Sequence, residues 1–309
     1  MSSRAPVKGV PARLTRAMRV DAAFDAVVRA SLAHLRANER GMLRGSDPEY
    51  LHQMRVALRR LRSAFSVFRP AVPATPAAPV VAELKWLASS LGPARDWDVL
   101  HTGTLPLIAR KFGPRGDLEA LGESCGERRR QAGEMARRAV RSARYRRLVL
   151  FLPAWLESWS RRAELDALQR AALAEPLGGF AARMLDRRYD RVRKRVRHIR
   201  ELSGRQLHRL RIAVKKFRYS SDFFAGLYAG RPVRTALRRL SDLQDILGSI
   251  NDAATAVALI GLGFGGVENG EATGARGLVL GWCRDEAARR RRRLAGAWKA
   301  FRSARRFWR

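Results

Sequence analysis

Apolar residues recur at intervals of three and four along nearly the whole chain, the period of helices that turn one face to a core. Segment 51–68 shows it clearly. Leu51, Met54, Leu58, Leu61, Phe65 and Phe68 fall on one helical arc about 100° wide. Strand-like alternation is absent. The periodicity predicts helices over 17–43, 47–69, 77–91, 96–112, 116–146, 148–172, 178–200, 204–227, 232–247, 250–262 and 271–304. Breaks are expected at Gly45, Pro70–Pro79, Gly92-Pro93, Gly113-Pro114, Pro176, Gly230–Pro232 and Gly261–Gly270, where glycine and proline oppose helical propagation. An all-α fold of packed helical hairpins follows.

One of these helices occurs twice. LHQMRVALRRLRSAFSVF at 51–68 returns as LHRLRIAVKKFRYSSDFF at 207–224, an offset of 156 residues. In the second copy Leu207, Leu210, Val214, Phe217 and Ser221 form the inner stripe, which ends at Phe224. The offset persists through Leu84/Leu240, Leu87/Leu243, Leu91/Leu247, Gly92/Gly248 and Asp96/Asp252. RSAR at 141–144 recurs at 302–305, followed closely by Tyr145 or Phe307. A period this long is not that of a solenoid. It predicts one internally duplicated domain over 1–309, with half-repeats at 15–155 and 175–309.

The copies preserve cations as well as apolar positions. His52, Arg55, Arg59 and Arg62 become His208, Arg211, Lys215 and Arg218, each set on an arc of about 80° beside the core stripe. Arg60 falls nearer open solvent. From His52 to Arg62 the row runs roughly 15 Å at about 1.5 Å per residue, a length suited to a linear polyanion. Like charges at this spacing cost each helix some tenths of a kcal/mol, about 0.2–0.5 per pair. No carboxylate within the first copy compensates. Guanidinium groups fork onto phosphate oxygens and ammonium groups act as point charges. Histidine adds a donor near neutral pH, so binding is expected to strengthen below about pH 6.5. A basic face beside a core stripe is ordinary for one surface helix. Two such faces with matching order and spacing point to a clamp for a polyanion.

Composition agrees. Sixty-two Lys and Arg against 28 Asp and Glu give a formal charge of +34. An arginine-rich proteome would explain Arg in place of Lys but not this excess, which attracts anions over long range. With 46% hydrophobic residues, the chain can bury a sizeable core. Cys125 and Cys283 lack metal spacing and cannot build a disulfide framework, which fits a reducing cytoplasm. No apolar signal core or bilayer-length segment is present, so a soluble protein without a membrane partner is expected.

Other chemistry is weaker. Asp96 and Asp252 are expected to cap helices or pair with the basic row. A magnesium site from Asp96, Asp98, Asp245 and Asp252 is the alternative, weakened because Asp98 aligns with Ala254. The setting of His52 and His208 supplies cations but no orienting carboxylate, so no catalytic role, enzyme activity or cofactor is expected. His34, His101 and His198 have no counterpart in the other repeat. The arginine-rich stretches 128–147, 185–200 and 289–293 could extend a phosphate groove or form solvated faces. The rival partner is nucleic acid. RSARRFWR at the end of the chain combines arginine with aromatics, as a stacking site does. Against that rival, no nucleic-acid-reading motif appears, and Tyr219 is the one aromatic on a basic arc. An interaction scaffold recruiting acidic partners is a third reading.

The segments LHQMRVALRRLRSAF, LKWLASSLGPARDWDVL, LHRLRIAVKKFRYSSDFF and LRRLSDLQDILGSINDA, in this order, resemble the two halves of a CHAD (conserved histidine alpha-helical) domain from about residue 15 onward. The resemblance implies two helical bundles related by a pseudo-twofold axis, with a basic groove between them. It implies binding of inorganic polyphosphate and association with polyphosphate granules in the cytoplasm. By residue match, His52, Arg55, Arg59, Arg62, His208, Arg211, Lys215 and Arg218 would line the groove, with Arg60 and Lys216 in a second tier. The E-x-E-x-K signature of the triphosphate-tunnel domain often fused to this family is absent, so a stand-alone binding module is expected.

Overall fold

The computed structural model describes residues 5–159, 165–263 and 270–309. Its helices are α1 (Val20–Arg44), α2 (Pro48–Val67), α3 (Ala74–Asp98), α4 (Leu105–Phe112), α5 (Gly116–Arg141), α6 (Ala143–Ser158), α7 (Ala167–Ala174), α8 (Leu177–Arg195), α9 (Gly204–Phe224), α10 (Arg231–Gly263) and α11 (Gly270–Arg302). Among the described residues no strand forms, apart from an isolated bridge between Arg19 and Pro176. The fold is all-α.

The repeated helices start on local signals. Asp47 precedes Pro48 and accepts from the Glu49 amide at 2.8 Å, satisfying a free N–H at the start of α2. Ser203 and Gln206 form a reciprocal capping box at the start of α9. His198, at φ 54, turns the chain between α8 and α9.

Packing follows a recurrent order. α1 lies on α2, α2 on α3 and α3 on α5; later α8 lies on α9, α9 on α10 and α10 on α11. The buried positions of α1 return in α8 at a shift of 157: Val20 matches Leu177, Phe24 Ala181, Val28 Leu185, Ser31 Arg188 and Leu35 Val192. The segments entering α1 and α8 also pair reciprocally. The Val20 amide donates to the Glu175 carbonyl at 3.2 Å, and the Leu177 amide donates to the Met18 carbonyl at 2.8 Å. Phe68 and Phe224, ending the two repeated segments, meet with ring centroids 5.9 Å apart inside a continuous core.

Three expected breaks are displaced. α3 runs through Gly92-Pro93 to Asp98, and α10 runs through Gly248, so Asp96 and Asp252 lie inside helices and do not cap new ones. Pro93 forfeits one helical hydrogen bond. The buried Leu84, Leu87, Leu91 and Ala94 nevertheless hold the flanking turns against the core. A π-helical turn over Val99–Thr104 then leads into α4. The Pro70–Pro79 break is shorter than expected, because α3 begins at Ala74 and carries Pro79 in its first turns. The segment expected as one helix over 148–172 takes in most of α6 and most of α7, which are separate helices. The Gly261–Gly270 break falls largely outside the described residues.

Candidate functional site

α2 and α9 approach each other beside α3, so the two basic rows share one space. A cavity of about 660 Å³ opens there. Arg59 and Arg62 line it from α2, and Arg211, Lys215, Lys216 and Tyr219 line it from α9. Val81, Leu84 and Lys85 of α3 form a wall, with Arg69 at one end.

Arg55 lies next to this space. A Cβ at Gly92 would stand 3.6 Å from Arg55 Nη1, so the guanidinium rests on α3, one turn from Asp96. Burial lowers the Arg55 pKa, opposed by Asp96 and reinforced by Arg59 and Arg95. Arg211 is lowered in the same way by burial, opposed by Asp252. Lys215 feels burial and then Arg211 and Arg59, which together push its ammonium down to about 8. The Nε of Arg59 is buried without a hydrogen-bond acceptor. Among the described residues none of these four cations is in an ion pair with a carboxylate. The nearest negative groups are Asp96 and Asp252, close enough to each other that Asp252 adds to the burial that raises the Asp96 pKa.

Half-buried, unpaired cations are costly to hold together. An incoming anion relieves both the lost hydration and the mutual repulsion. Phosphate oxygens suit three guanidinium groups and one ammonium group.

The remaining expected site residues divide. Lys216, placed in the second tier, lies on the cavity rim. His52 is half-buried beside the row, and burial and then Arg95 lower its pKa. Its protonation therefore requires a pH below the 6.5 expected from sequence. His208 is exposed at the start of α9 and does not line the cavity. Arg218 is engaged elsewhere: Nε pairs with Asp222 at 3.2 Å and Nη1 donates to the Leu237 carbonyl at 2.8 Å, joining α9 to α10. Arg60 does not line the cavity, and its charge is felt by Asp222, Tyr219 and His34.

Sequence reasoning missed Arg188 of α8. It is buried and donates to the Ser66 carbonyl at 2.6 Å and the Ser66 hydroxyl at 2.9 Å, fixing α8 beside the end of α2. Its neighbours in sequence are themselves arginine-rich, so nothing in the chain marks it out. Asp98 pairs with Arg129 at 2.6 Å and does not join Asp96. Among the described residues no group of three His, Cys, Asp or Glu is placed to hold a metal ion. Phe307 and Trp308 are buried against Tyr228, Phe217 and Tyr189, so the aromatic end of the chain is packed and offers no base-stacking surface. Among the described residues no helix is long and apolar enough to cross a membrane.

Comparison with known proteins agrees with this architecture. The pattern of the CHAD domain family matches residues 26–261. The crystal structure of the CHAD domain from the plant Ricinus communis superposes with a TM-score of 0.83 at 30% identity, covering 98% of each chain. The fold is also similar to that of PptA from Streptomyces chartreusis, with a TM-score of 0.69 at 18% identity over 91% of this chain and 100% of that one. No curated protein matched the sequence.

Proposed function

This chain belongs to the CHAD domain family, and we propose that it is a binding protein for inorganic polyphosphate whose site lies between α2 and α9. The observation that carries this reading is the convergence of Arg55 and Arg59 with Arg211 and Lys215, unpaired and half-buried, about one cavity. The sequence offset between α2 and α9, the shared burial pattern of α1 and α8 and the reciprocal pairing at their entries support an internally duplicated domain. The cavity is then the groove between its halves.

An unadorned phosphate chain fits better than nucleic acid. Apart from Lys85 the cavity wall on α3 is aliphatic, and the aromatics of RSARRFWR are in the core, which leaves Phe65 and Tyr219 as the rings that line the cavity. The reading is of binding without turnover, because the site gathers cations but pairs no nucleophile with a general base. Association with polyphosphate granules in the cytoplasm follows from the ligand.

Charge reversal tests the assignment. Replacing Arg55, Arg59, Arg211 and Lys215 with Glu should abolish polyphosphate binding while the helical circular dichroism is retained. Full binding by a folded quadruple variant would place the site elsewhere.

A further inference from the structure

Lys216 belongs to two cationic neighbourhoods. On one side it lines the α2–α9 cavity. On the other it stands among Arg188, Arg191 and Arg195 of α8 and Arg62 of α2, which, after burial, lower its pKa. Arg191 and Arg195 are exposed, one helical turn apart, and pair with no carboxylate among the described residues. The nearest acid in sequence, Asp190, is taken by Arg193 at 3.6 Å. Arg195 also lines a second surface cavity, of about 550 Å³, at the α8–α9 corner, where Lys194, Arg197 and Arg209 outnumber the one carboxylate, Glu201. The cations thus form a continuous path from the first cavity to the corner.

The other half of the molecule shows that the scaffold does not require this path. In the burial register shared by α1 and α8, Arg191 corresponds to His34 and Arg195 to Asn38. Both α1 residues are buried. The N-terminal segment covers them: Asn38 accepts from the Val7 amide at 3.0 Å and donates to the Val7 carbonyl at 2.9 Å. Gly9 lies against the His34 ring, whose Nε2 is 3.1 Å from Gln53 Oε1. The same face is neutral and covered on α1, but cationic and open on α8. Clustered arginines cost α8 some helix stability through like-charge repulsion. An anion lying along them would offset that cost.

We propose that Arg191 and Arg195, entered by way of Lys216, form an exit track that carries a long polyphosphate chain out of the cavity to the α8–α9 corner. The inference rests on the polyphosphate reading above and adds a chain-length dependence to it. Arg188, held on Ser66, acts as the positioning residue that fixes the track beside the cavity.

The test compares tripolyphosphate, which the cavity alone accommodates, with long-chain polyphosphate. The proteins are the unmodified chain, R191Q/R195Q and a charge-matched control, R146Q/R147Q, on exposed positions of α6. The track variant should bind long chains about tenfold more weakly, and its salt slope should fall by about one for each cation removed. Its tripolyphosphate affinity and helix content should stay unchanged. Undiminished long-chain binding by R191Q/R195Q, or an equal loss in R146Q/R147Q, would overturn the track while leaving the cavity reading intact. An unmodified chain that bound neither ligand would overturn both.

Discussion

Arg218 donates from Nη1 to the carbonyl oxygen of Leu237 at 2.8 Å, and this bond removes it from the cationic row in which its sequence position puts it. Arg62, its counterpart in the first repeat, is exposed on the cavity rim. Equivalent positions therefore differ, one joining helices and the other facing the cavity.

The two arginines should separate in mutagenesis. Arg218→Ala leaves the Leu237 carbonyl and Asp222 without their donor and should cost about 1–3 kcal/mol in urea unfolding, with little change in polyphosphate affinity. Arg62→Ala should do the reverse, weakening binding severalfold and reducing the salt slope by about one. Loss of affinity in folded Arg218→Ala equal to that in Arg62→Ala would return Arg218 to the binding row.

Lys215 should trade stability for binding. Its ammonium titrates at about 8 in the folded chain against an ordinary 10.5. The folded state thus carries an unfavourable charge at pH 8 and below, and this penalty fades as pH rises from about 8 toward 10.5. Lys215→Met should stabilise the free protein at pH 7 by on the order of 1–2 kcal/mol, after discounting for solvent relaxation. It should also flatten the rise in stability above pH 8 and weaken polyphosphate binding about tenfold. In the unmodified protein, affinity should fall as pH climbs past 8, because an anion then has to draw a proton onto Lys215. Urea titrations and binding isotherms from pH 7 to 10 check both signs.

Asp252 should show the opposite balance. It neighbours Arg211 and Asp96 and brings negative charge near the space assigned to phosphate. Asp252→Asn should tighten polyphosphate binding severalfold and lower the melting temperature of the free protein, since Arg211 loses its compensating neighbour. Weaker binding would instead mean that Asp252 orients the cations for the ligand.

The helices were legible because apolar residues recur at three and four, the period that turns one helical face to a core. Gly92-Pro93 misled because a local breaker was outweighed by Leu84, Leu87 and Leu91, whose burial depends on helices far away in sequence. The same limit applies at the site. The spacing of Arg55, Arg59, Arg211 and Lys215 put them on one face of each helix, but not which carbonyl would claim Arg218. Angular position on an isolated helix also undervalued Lys216, which reaches the cavity rim only because α2 lies alongside α9. The covering of His34 and Asn38 by the N-terminal segment leaves no periodic signal at all.

Competitive displacement of labelled long-chain polyphosphate at near-physiological salt tests the central claim most directly. Unlabelled polyphosphate, double-stranded DNA and tRNA are compared at equal phosphate concentration, since charge alone would drive all three. A site shaped for a bare phosphate chain predicts that polyphosphate displaces the label at concentrations lower by about tenfold or more than either nucleic acid, a free-energy difference of about 1.4 kcal/mol. Equal displacement by all three would contradict it and make the protein a general cationic surface.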